Sequence, residues 1–168
     1  MSDSQSTEAL QPTIVRAGEG ETLQAFGDVI QFKLGGAQTG GGMTLGQCAV
    51  PAGVGPPPHI HHRADELFLV LEGRFEVLVS GRWVEIGPGD AAYVPRGNVH
   101  TFRNAGDSRG RLWLILTPSG FETFFRRSSD EFAGGGPPDM GRILEIAKEH
   151  GIEFLPPAGG PEAPAGAR

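Results

Sequence analysis

The chain has a single cysteine, Cys48. No internal disulfide is available to it, and the fold owes nothing to an oxidising compartment. Long hydrophobic runs are also missing: the longest, such as Leu67 to Leu71, are far too short to cross a bilayer. There is no basic stripe. The formal net charge is −6 with lysines and arginines scattered, which argues against a nucleic-acid partner. The opening segment MSDSQSTEALQP has neither a basic n-region nor an apolar h-region. Export is not indicated, and a soluble cytoplasmic protein is expected. No internal repeat at solenoid or propeller periods is seen.

Glycine (27) and proline (14) are abundant, near the level that raises suspicion of disorder. Here they punctuate short β-branched and aromatic runs, as in an all-β domain with many turns. Strands are expected at Asp28 to Leu34, Met43 to Val50, Glu66 to Leu71, Arg74 to Val79, Trp83 to Ile86, Ala91 to Val94, His100 to Arg103 and Arg111 to Thr117. Glycine-rich turns separate them, and VLVSGRWVEI reads as a tight hairpin with Ser80–Gly81 at its tip. Eight short, closely spaced strands point to a sandwich or barrel.

The character changes after Thr117. Ser119 is placed to cap a helix, with Glu122 completing a capping box, and Phe121, Phe124 and Phe125 fall on one helical face that needs burial. A second helix is expected from Asp139 through Ile143, Leu144 and Ala147 to a stop at Gly151. The resulting division is a disordered N-terminus over 1–11, a β-barrel over 12–118, a helical extension over 119–155 and a disordered tail over 156–168.

The stretch PPPHIHHRADELFLVLEG, residues 56–73, gathers histidines and acids at the mouth of an apolar strand. Pro56 to Pro58 hold the chain extended, so His59 and His61 project from one face. Glu66 shares the inward parity of Phe68 and Val70. A carboxylate buried beside two imidazoles is costly unless something positive neutralises it. A divalent metal would do so, and His100 offers a further ligand from a later strand. Three imidazoles and one carboxylate make a mixed N/O shell suited to Fe, Mn, Ni, Co, Cu or Zn.

These residues carry a resemblance. Gly53, His59, His61, Glu66 and Gly73 are spaced as in the first cupin motif, and Gly89, Pro95, Gly97, His100 and Asn104 as in the second, GDAAYVPRGNVHTFRN. The chain resembles a metal-binding cupin, which implies the double-stranded β-helix, or jelly-roll barrel, followed here by short C-terminal helices. The resemblance implies His59, His61, Glu66 and His100 as ligands, and Gly53, Gly73, Gly89, Pro95, Gly97 and Asn104 as structural positions. With all four ligands and a helical tail, the chain looks like single-domain quercetin dioxygenase-like proteins. In flavonol-cleaving members the metal holds the deprotonated 3-hydroxyl, the glutamate is both ligand and base, dioxygen adds, and the ring opens with loss of carbon monoxide.

The expectation is therefore a metal-dependent dioxygenase acting on a small aromatic or enolisable compound, with Glu66 catalytic. Parity offers Phe68 and Phe102 as lining for the substrate pocket. The alternatives are a non-oxidative isomerase, decarboxylase or lyase, and a cupin that binds a small molecule without turnover. Barrels of this kind commonly pair, so a homodimer is expected. His62 and Asp65 have the opposite parity and are read as non-ligands. Cys48 is read as a small strand hydrophobe, Arg96 as a solvated loop residue, and His150 as an imidazolium at a helix C-terminus.

Overall fold

The computed structural model describes residues 9–156. The expected disordered ends fall largely on 1–8 and 157–168, outside the described residues. In chain order the elements are β1 (Glu21–Ala25), β2 (Asp28–Leu34), the single turn α1 (Gly36–Thr39), β3 (Thr44–Val50), β4 (His59–His61), β5 (Asp65–Glu72), β6 (Phe75–Val79), β7 (Arg82–Ile86), β8 (Ala91–Val94), β9 (Val99–Asn104), β10 (Gly110–Thr117), α2 (Phe121–Phe132), α3 (Met140–Glu149) and β11 (Ile152–Phe154). None of these helices is long and apolar enough to cross a membrane.

The strands form two antiparallel sheets, ordered β1-β2-β3-β10-β5-β8 and β11-β4-β9-β6-β7. Period-2 alternation makes them pack face to face. In the six-stranded sheet Cys48 and Val50, Phe68 and Val70, and Leu112, Leu114 and Leu116 point inward and are buried. Phe75, Val77 and Phe102 meet them from the five-stranded sheet. Each such side chain, fully buried, contributes about 2 kcal/mol of transfer free energy. The architecture is the β-sandwich of a jelly roll, and all eight expected strands are present.

The expected hairpin is also there. Val79 pairs with Arg82 across Ser80 and Gly81, whose φ values of 50° and 74° make the mirror-image turn that matches strand twist. A second turn of the same kind, Phe26–Gly27 with φ of 55° and 86°, joins β1 to β2. Phenylalanine is a poor signal for a left-handed turn, so the sequence reading has no β1.

The helical appendage departs from expectation at its start. The N-cap of α2 is Gly120 and no side chain caps it, so Ser119 does not play that part. Glu122 instead turns its carboxylate across the chain, accepting from the backbone N–H of Gly120 at 2.9 Å and of Gly36 at 2.8 Å, and from the Thr44 hydroxyl. Two backbone donors and a hydroxyl outcompete the local box, and the helix is tied to β3 and the turn after β2. Phe124 and Phe125 find their burial against Phe26 and Phe32 of the first hairpin. In α3, Asp139 caps by accepting from Arg142 N–H, as its position suggests. Ile143, Ile146 and Ala147 are buried, while Leu144 stays half exposed.

Candidate metal centre

Strand β4 is only three residues long, and both its neighbours fix it. Before it, Gly55 lies so close to β9 that a Cβ there would meet the Phe102 carbonyl oxygen at 1.9 Å. Pro56 to Pro58 then carry the chain on in extended form. On one side His59 pairs with His100 of β9; on the other, β11 pairs Ile152 with His61 and Phe154 with His59. The backbone bonds Leu155 N–H to Pro58 O and His62 N–H to Gly151 O, both 2.8 Å, close that seam. Gly97, at φ 82°, donates its N–H to His61 O at 2.8 Å and so ties the loop before His100 to the same strand.

His59, His61 and His100 thus descend from one sheet, and Glu66 on β5 faces them from the other. All four side chains are buried, and their donor atoms all lie within 4.8 Å of one another. His59 Nδ1 lies 2.8 Å from Pro57 O and His100 Nδ1 lies 3.0 Å from Asn98 O. A carbonyl can only accept, so both Nδ1 atoms carry protons, the second-shell arrangement that orients ligating imidazoles. The His100 Nε2 lies 2.6 Å from Glu66 Oε2. His61 Nε2 lies 3.3 Å from that oxygen but makes no hydrogen bond.

Electrostatics follows from this geometry. Burial alone would raise the Glu66 carboxyl, but the nearby His61 imidazole and the hydrogen bond from His100 hold it well below the usual range. Burial would lower His100, but Glu66 prevails and raises it. His59 is pushed down to about 3 by burial and by the neighbouring imidazoles, and is neutral in ordinary buffers. A neutral imidazole aims a lone pair, and two Nε2 atoms crowd one carboxylate oxygen. Such a set can hold a cation at its centre. The unpartnered His61 Nε2 and the N₃O donor chemistry fit a first-row divalent metal, without selecting among Fe, Mn, Ni, Co, Cu and Zn.

The cluster opens onto a cavity of about 40 Å³, room for about three waters. A ring-sized guest therefore has to displace side chains. Its wall includes Phe26, Phe102, Phe121, Phe124, Phe125 and Phe154. Phe102 lines it as expected from parity. Phe68 does not; it is fully buried with its ring 5.2 Å from Phe102 and 6.2 Å from His100. The sequence reading missed Phe26, Phe154 and Asp28 on this wall. Asp28 did leave a signal: it shares the inward parity of Ile30 and Phe32. Burial pushes its carboxyl up to about 7.

The remaining polar candidates lie outside the cluster. His62 is exposed and pairs with Glu153 at 2.8 Å. Asp65 engages Arg96 through two side-chain bonds and its N–H, so Arg96 is held rather than free. Cys48 is buried, as expected of a small hydrophobe. His150 is not the imidazolium expected at a helix end. It accepts from Arg127 Nη1 at 3.2 Å, and burial together with that guanidinium lowers its pKa, keeping the ring neutral.

Residues 46–116 match the family model for the cupin domain. That match takes in all four donors and agrees with the two-sheet jelly roll, so it marks a cupin domain within the chain. It is 29% identical over 124 residues to quercetin 2,3-dioxygenase of Bacillus subtilis (strain 168), a match that covers 73% of this chain but 36% of that protein. Among solved structures, KdgF from Halomonas sp. superposes with a TM-score of 0.60 at 18% identity, covering 67% of this chain and 99% of KdgF. The polyketide cyclase RemF from Streptomyces resistomycificus gives 0.57 at 21% identity, with 65% and 81% covered. These two likenesses concern the fold.

Two outcomes are expected from the site. His100→Ala should weaken metal affinity by at least about 100-fold, the most that second-shell changes alone produce, whereas His62→Ala should leave it unchanged; elemental analysis of dialysed protein reads both. Asp28, with its folded pKa raised to about 7 from 3.8, contributes stability that is present below about pH 4 and lost as pH rises through 7. Urea melts should show Asp28→Asn gaining on the wild type across that window, by on the order of 4 kcal/mol at its end. A constant difference would contradict it.

Proposed function

We propose that this protein is a metal-dependent oxygenase for a small aromatic or enolisable compound, with His59, His61, Glu66 and His100 as ligands. The observation that carries this reading is an N₃O donor cluster set into a cavity walled by phenylalanine rings. A bound divalent metal supplies Lewis acidity, favouring the deprotonated form of a substrate hydroxyl or enol. Glu66 is the base, its carboxylate taking the substrate proton. His59 and His100 keep their ring orientation through Pro57 O and Asn98 O. The phenylalanine faces hold a planar ring and exclude water. The partial likeness to a quercetin 2,3-dioxygenase supports dioxygen as co-substrate.

A homodimer belongs to the same proposal. The outer face of the six-stranded sheet carries Leu45, Leu67, Leu69, Trp113 and Ile115, half-buried, beside an exposed Tyr93. Such a patch suits a second copy.

Oxygen-electrode traces with metal-loaded protein should show uptake that depends on an added flavonol or β-diketone, and that stops with Glu66→Gln. Turnover under argon, or no uptake with either class, would overturn the oxygenase reading. Light scattering at micromolar concentration should give a mass near twice 17.7 kDa, falling to 17.7 kDa in Trp113→Glu. A wild-type monomer would remove the dimer.

A further inference from the structure

Asp28 is the odd member of the cavity wall. It opens β2, where the other inward positions, Ile30 and Phe32, are apolar, and it is 4% exposed. Its Oδ1 has no hydrogen-bond partner among the described residues. It lines the same cavity as His59, His61 and Glu66, yet it lies outside their four-donor group. In the sheet order β2 is three strands from β5, and the pairing registers set Asp28 about six residues along from Glu66, so the two carboxyls stand on a diagonal of the sheet. Both carboxyls nevertheless face the space around Cys48: burial raises that thiol, and Asp28 and Glu66 push it the same way. A buried carboxyl with an oxygen that no protein group pairs costs stability. A ligand group bonded to it would recover that loss.

We propose that Asp28 is a specificity-determining residue, hydrogen-bonding a hydroxyl at the far end of a substrate whose enol or phenol end faces the His–Glu cluster. The proposal rests on the small-enol reading above and narrows it to planar compounds with two polar ends. A hydroxyl both donates and accepts, so it suits the carboxyl in either protonation state. The raised pKa of Asp28 keeps much of it neutral near pH 7, the form an apolar wall tolerates. Sites that bond a substrate hydroxyl reject the analogue lacking it, because the protein group is left unpaired.

Kojic acid and allomaltol provide the test. They share a hydroxypyrone that can meet the cluster, and differ only in a hydroxymethyl against a methyl at the other end. Calorimetric titration of the metal-loaded full chain should show kojic acid binding about tenfold more tightly, the effect of one well-made hydrogen bond. The ratio should fall to about one in Asp28→Leu and in Asp28→Ala, a second apolar variant, with allomaltol affinity unchanged. Asp28→Asn, which can still donate and accept, should keep most of the preference. Equal affinities in the wild type, or a preference that survives both apolar variants, would overturn the role of Asp28 and leave the cluster reading standing. Binding of neither compound to the wild type would overturn both.

Discussion

The whole arrangement depends on one buried carboxylate. Glu66 has two imidazole nitrogens aimed at a single oxygen, inside a wall that is mostly apolar. An isolated anion at that depth would lose more in hydration than packing returns. Opposite charge, from a proton on His100 or from a metal shared by all four donors, makes it tolerable. The backbone carbonyls of Pro57 and Asn98 then matter as much as the ligands. By holding the Nδ1 protons, they leave Nε2 as the atom that faces the centre.

Bringing those nitrogens together is a problem of strand placement, solved with very little chain. A three-residue strand cannot define its own position, so β4 takes it from β9 on one side and β11 on the other. Since β11 follows α3, the C-terminal segment helps to orient the ligand strand as well as covering the cavity. The carboxylate of Glu122 ties α2 to β3 through Thr44, which couples the helical face over the cavity to the six-stranded sheet. Access to the site and integrity of the site are built from the same residues.

Much of this was legible in the sequence. Parity puts Glu66 on one face with Phe68 and Val70, and that is the buried face; the runs Leu67–Leu71 and Leu112–Leu116 are apolar on both sides, so they show strands without showing which side is inward. Histidines two apart on a proline-held strand can only share a face. What could not be read depends on long-range competition. Glu122 satisfies a local box on paper, but Gly36 and Thr44, distant in sequence, offer it better partners. His150 suits a helix end as a cation until Arg127 of another helix supplies the charge instead. β11 is too short to announce itself, and exists because β4 has an edge to pair.

The cavity contains two carboxyls whose surroundings drive them in opposite directions. Glu66, among imidazoles, is held ionised; Asp28, among phenylalanine and isoleucine side chains, is pushed toward its neutral form. Groups of one chemical kind whose acidities are split by environment divide the labour of a site. A guest then meets one wall that takes protons and another that trades a hydrogen bond without holding full charge. On the proposed reading, that asymmetry orients a small planar molecule before any chemistry begins. On the same reading an acidic residue stands where the strand pattern calls for valine or isoleucine because a correctly turned ligand offsets part of the cost, on the order of 4 kcal/mol, that Asp28 carries once pH passes 7.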